Sequence, residues 1–106
     1  MSFEINKYMN ENRVHNPMFG FSVKQLVCKS GLSMSVQASS NHYCSPREDG
    51  QSHYDSVEVG YPSRKVDDLL EYAENPATPT DTVYGWVPVN IINKIVDENG
   101  GLDADW

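Results

Sequence analysis

The sequence predicts a small α+β domain, with a mostly antiparallel sheet of about four strands covered on one face by two helices. Three observations lead there. Apolar residues alternate with polar ones over 21–28 and 32–38, on either side of a Ser30-Gly31 turn. Two short β-branched runs follow, around Val57 and Val83. Apolar residues at helical spacing come late, over 64–75 and 88–99. Early paired strands and late helices favour an antiparallel sheet with its helices on one side.

Taken in order, residues 1–16 are polar with scattered apolar positions (Phe3, Ile5, Tyr8, Met9) and read as an N-terminal arm or short helix. Pro17 and Gly20 punctuate the entry to a single domain over 17–106. In "FGFSVKQLVCKSGLSMSVQASS", Phe21, Val23, Gln25 and Val27 share one phase, as do Leu32, Met34, Val36 and Ala38. That pattern makes a hairpin. A helix capped by Ser22 and ended by Gly31, as at the front of a helix-turn-helix, is the alternative. The small and β-branched residues of "MSVQASSNHY" and the acidic charge balance favour the hairpin. Tyr54, Val57 and Val59 mark a third strand, closed by Gly60 and Pro62. Ser63 is placed to cap a helix over "RKVDDLLEYAEN", with Val66, Leu69, Leu70 and Ala73 as its buried stripe. "DTVYGWVP" is a fourth strand, with Val83, Gly85 and Val87 on one face and Tyr84 and Trp86 on the other, open one. Pro88 opens the last helix, Val89, Ile92, Ile95 and Val96 line it, and Gly100-Gly101 ends it before a short acidic tail.

Charge is unevenly spread. The 106-residue chain carries 15 acids against 8 Lys/Arg, a net charge of −7. Residues 1–65 hold six acids and seven Lys/Arg, whereas 66–106 hold nine acids and Lys94 alone. Such a field repels nucleic acid and anionic membranes and attracts basic partners, so direct nucleic-acid binding is not expected. The first residues lack the apolar core of a signal peptide, and no apolar run approaches the roughly 20 residues of a membrane span. Two cysteines, Cys28 and Cys44, are too few for a disulfide scaffold. A cytoplasmic protein with reduced thiols is expected.

Three features invite chemistry. In "SVQASSNHYCSPR", His42 and Cys44 lie two apart, so on a strand both would point the same way. Cys28 and His53 could join them in space as zinc ligands, but no C-x-x-C or H-x-x-x-H pair is present and the spacing speaks against a zinc site. A thiolate nucleophile would need a cationic surround and an oxyanion hole; Arg47 supplies part of the first and nothing marks the second. The other uses of this stretch are a buried cysteine with a bonded histidine, or a contact loop formed by Asn41, His42, Tyr43 and Arg47. The second feature is the acidic face of the helix over 64–75, where Asp67, Asp68, Glu71 and Glu74 are either simply solvated or stand in for phosphates in a basic channel; Glu98 is a weaker member. The third is "TVYGWVP", whose Trp86 is either packed beneath a neighbour or an interface anchor. No phosphate-binding, dinucleotide, zinc-protease or nucleophile-elbow motif is present, and no cofactor or metal is called for.

The stretches "SVQASSNHYCSPR", "YDSVEVGYPS" and "TVYGWVPVNIINKIVDENGG" cover about half the chain and resemble small proteins encoded by phages and prophages, of which the anti-CRISPR inhibitors are the best-known class. That class shares no motif, so the resemblance implies a mode of action and no particular residues. It implies a non-enzymatic inhibitor in the bacterial cytoplasm, blocking a host protein or ribonucleoprotein complex that presents a basic surface. The alternative is a small-molecule or nucleotide-binding module, a signal sponge with His42, Tyr43 and Arg47 lining a pocket; a homodimer is compatible with either.

Overall fold

The computed structural model describes residues 3–18 and 20–103, and among these the expected α+β architecture is present. The order is helix α1 (Ile5–Asn12), strands β1 (Arg13–Asn16), β2 (Gly20–Val23), β3 (Leu26–Val27), β4 (Ser33–Gln37) and β5 (Ser56–Gly60), a 3₁₀ helix (Asp67–Tyr72), strand β6 (Val83–Pro88) and helix α2 (Val89–Glu98). Strands β3-β4-β5-β6 form one antiparallel sheet and β1-β2 a separate ribbon.

The period-two pattern of residues 32–38 is obeyed: Leu32, Met34, Val36 and Ala38 are all buried. The preceding strand is not continuous. Val23 and Leu26 both face the core, and the exposed pair Lys24-Gln25 between them carries the chain from the ribbon into the sheet. Gln37 ties the two together. Its amide accepts from the Val23 N–H (2.7 Å) and donates to the Val23 carbonyl (2.8 Å), so a side chain serves as one more rung of the ladder.

The polar N-terminal segment, expected as an arm or short helix, is built into the domain. Ile5, Tyr8 and Met9 are buried in the common core. Its asparagines hold neighbours. Asn6 accepts from the Tyr54 N–H (2.8 Å) and donates to the Tyr54 carbonyl (3.1 Å), and Asn10 donates to the Ser52 carbonyl. Asn93 of α2 accepts from the Ile5 N–H (2.8 Å), supplying an acceptor to the start of α1, whose first amides have no partner within the helix.

The helix expected over 64–75 is a correction. Only Asp67–Tyr72 is helical, and it is a 3₁₀ turn. Two causes are visible. Ser63, expected to cap it, is committed to Ser33 instead, donating its N–H to the Ser33 carbonyl (2.8 Å) and accepting the Ser33 N–H on Oγ (2.9 Å). Of the residues packed against the core, Val66, Leu69 and Tyr72 recur every three positions, the 3₁₀ period, with Leu69 alone fully buried; Ala73 of the expected stripe packs there too, just past the helix, and Leu70 does not. The last helix matches its pattern: Ile92, Ile95 and Val96 are buried, and Gly100 and Gly101 at φ 86° and 82° turn the chain at its end.

Both long edges of the four-stranded sheet are covered. On the β3 side, Cys28 pairs with Leu102 and the Asp103 N–H reaches the Val27 carbonyl. On the β6 side, Ala73 pairs with Tyr84 and the Glu74 N–H reaches the Val83 carbonyl. Leu102 and Asp103 of the expected acidic tail are thus part of the sheet margin, while its remaining residues lie outside those described.

Candidate functional site

The site grows out of an irregularity in β6. Val57 pairs with Val87 and Val59 with Tyr84, so Glu58 alone opposes Gly85 and Trp86. This two-against-one arrangement is a β-bulge, and it reverses the alternation of the strand. Tyr84 and Val87 both turn into the core, and Tyr84 is fully buried with its hydroxyl on the Pro79 carbonyl. The expectation that Tyr84 and Trp86 share an open face is therefore corrected: the bulge separates them. Trp86 stands 53 % exposed at φ 50°, a left-handed conformation that costs a non-glycine residue about 1–2 kcal/mol.

Trp86 does not stand alone. Its N–H donates to the Tyr43 carbonyl (2.9 Å), and its indole stacks on the Tyr43 ring with centroids 4.9 Å apart and planes 25° from parallel. The Arg47 guanidinium lies over the same tyrosine ring, 5.3 Å from its centroid. Gly85 permits this approach, because a Cβ there would stand 3.2 Å from the Tyr43 Cβ. Gly85→Ala is accordingly expected to push Tyr43 off the indole at a cost of about 1 kcal/mol in stability, with a shifted tryptophan emission maximum in the folded state. Unchanged emission and stability would show that the bulge tolerates a methyl group.

The loop carrying Tyr43 and Arg47 is held from within. Asp49 accepts both the N–H (2.9 Å) and the hydroxyl (3.0 Å) of Ser40, and those bonds hold its carboxyl below the usual range. Arg47 Nε donates to the Ser40 carbonyl (3.1 Å). The Tyr43 N–H donates to Glu58 (3.3 Å). His42 is half-buried with Nδ1 2.6 Å from Ser39 Oγ; burial pulls its imidazole below the ordinary value, opposed by the Glu58 carboxylate. Asn41 is exposed, and its N–H donates to Ser39 Oγ.

Cys44 is buried, and its thiol donates to the Ser39 carbonyl (3.2 Å). Burial pushes both this thiol and that of Cys28 above the ordinary value. His42 and Cys44 share no side-chain hydrogen bond among the described residues, and no three His, Cys, Asp or Glu side chains there group around a common point. Alkylation by iodoacetamide at pH 8 is expected to be slow for both cysteines in the folded protein and to run to two equivalents in urea. Rapid modification of Cys44 in the native state would revive a nucleophilic role.

Of the other predicted site residues, Asp67, Asp68 and Glu71 lie on the 3₁₀ helix and Glu74 on the segment that borders β6. Because Ala73 pairs antiparallel with Tyr84, the 3₁₀ helix leads back along that edge in the direction of the bulge. Its charge is smaller than the sequence suggests. Lys65 stands 3.7 Å from Asp67 and Lys94 3.3 Å from Asp68. These exposed pairs contribute at most about 1 kcal/mol each, but they halve the local charge. Neither Glu71 nor Glu74 makes an ion pair among the described residues. Glu98 lies at the far end of α2, roughly 14 Å of helix from the end of β6, and does not join the site. Glu58 and Asp49 escaped the sequence reading, and Gly85 was expected only as a residue of the strand. The Val-Glu-Val alternation, which turns Glu58 outward on β5, was the available signal.

No protein-family model matches this chain, and neither a curated protein nor a solved structure resembles it significantly. No helix among the described residues is long and apolar enough to cross a membrane.

Proposed function

We propose that the protein is a non-enzymatic binding module that uses the Arg47–Tyr43–Trp86 stack as its contact surface, in the manner of a phage-type inhibitor that sterically blocks a basic, nucleic-acid-handling host complex in the bacterial cytoplasm. The observation that carries this reading is Trp86: a large aromatic residue, half-exposed, in a strained backbone conformation, and pre-stacked on a tyrosine. Strain retained at an exposed aromatic points to a use outside the fold. Trp, Tyr and Arg are the residue types that dominate interface energetics. The carboxylates Glu71 and Glu74, with the overall charge of −7, supply long-range attraction to a basic partner without needing to touch it.

The test is capture on the immobilised chain from a bacterial lysate, followed by kinetics with the purified partner. A nucleic-acid-handling protein is expected, with an association rate that falls about tenfold between roughly 0.05 and 0.5 M salt. A rate indifferent to salt would remove the steering role of the acidic residues.

A further inference from the structure

The geometry points to a carboxylate as the group that Arg47 receives from the partner, next to an apolar or aromatic side chain seated on Trp86. This rests on the stack being the contact surface. Arg47 belongs to a chain with 15 acids, yet it makes no ion pair among the described residues. Its nearest acidic neighbour in sequence after Glu48 is Asp49, whose Oδ1 is engaged by Ser40. Glu58, another carboxylate of the loop's surroundings, receives the Tyr43 N–H. The guanidinium is held all the same: Nε donates to the Ser40 carbonyl, and Cζ stands over the Tyr43 ring. Its two Nη groups have no hydrogen-bond partner among the described residues. An immobilised fork with its end edge unused has the shape that takes a carboxylate through two parallel N–H···O bonds.

The occupant is a carboxylate in preference to a phosphate. Glu48, Asp49 and Glu58 all lie in or beside this loop, and their field tolerates one negative charge better than two. A basic partner surface carries many cations and few carboxylates. One required acid within it would fix the register of docking, whereas the general attraction of opposite charges would not.

The experiment uses the full chain and two tetrapeptides, acetyl-Gly-Phe-Asp-Gly-amide and its Asn counterpart, titrated while the Trp86 indole and Arg47 Nε–H resonances are followed by NMR. The Asp peptide is expected to shift both resonances saturably and to bind about fivefold more tightly than the Asn peptide. Arg47→Gln is expected to abolish that preference while leaving weak stacking on Trp86, and Arg47→Lys to lose most of it, since an ammonium is not a fork. Equal affinity of the two peptides would overturn the inference, as would inorganic phosphate displacing the Asp peptide at equal concentration. Should Trp86→Ala abolish capture of the partner while Arg47→Gln leaves it intact, the stack stands as the contact surface and the carboxylate assignment fails alone.

Discussion

Removing residues 1–12 is expected to leave a chain that does not fold, although the composition of this segment resembles a detachable tail. Ile5 and Met9 are fully buried and Tyr8 nearly so. Truncating a single side chain of this kind to alanine costs about 2–5 kcal/mol, and the net stability of a domain is about 5–15 kcal/mol. Three such losses, about 6–15 kcal/mol together, match the whole net stability of a domain. The deletion also strips Asn6 from Tyr54, leaving the backbone N–H and carbonyl of a buried residue without those partners. Far-UV circular dichroism and urea titration would report a chain without a cooperative transition. The single change Asn6→Ala is expected to keep the fold and lower the unfolding free energy by about 2 kcal/mol. A truncated chain that unfolds cooperatively near the native midpoint would show that α1 is an appendage after all.

The hydrophobic periodicity was most informative where the backbone is regular. Met34, Val36 and Ala38 kept their phase along β4 and beyond it, and Ile92, Ile95 and Val96 kept theirs along α2. The pattern misled where the chain changes phase. A strand drawn straight through residues 21–28 places Val23 and Leu26 on opposite faces, but the exposed Lys24-Gln25 pair lets both turn inward. The same happens at Gly85-Trp86, where one extra residue puts Tyr84 in the core and Trp86 in solvent. Only Gly85 hinted at a bulge, and a glycine in a strand has several explanations. The 3₁₀ helix was legible as apolar residues near Asp67–Tyr72, but its type depended on Ser63 being taken by Ser33, a contact 30 residues away along the chain. Tyr43 and Arg47 stand out from residue type and from a loop that follows a strand. Their partnership with Trp86 is long-range and has no trace in local sequence.

Replacing Trp86 by alanine is expected to separate binding from folding. The indole is half-exposed and its removal opens no core cavity, so the stability change should stay within about 1 kcal/mol. Trp86→Gly should be at least as stable as Trp86→Ala, because glycine adopts φ 50° without the left-handed penalty. Affinity should respond very differently. A central aromatic anchor contributes about 2–4 kcal/mol to an interface, which is roughly 30- to 1,000-fold in Kd. Tyr43→Ala should act in the same direction, since it removes the surface on which the indole is ordered. Cys44→Ala, which alters a buried thiol and no exposed group, should leave affinity unchanged wherever the fold survives.

The decisive measurement is isothermal titration of the captured partner with the wild-type chain and with Trp86→Ala, each checked for a native circular dichroism spectrum. Recognition through a pre-built exterior predicts a loss of at least about 30-fold at unchanged fold. Wild-type affinity in a folded Trp86→Ala protein would contradict it and move the contact surface elsewhere on the molecule.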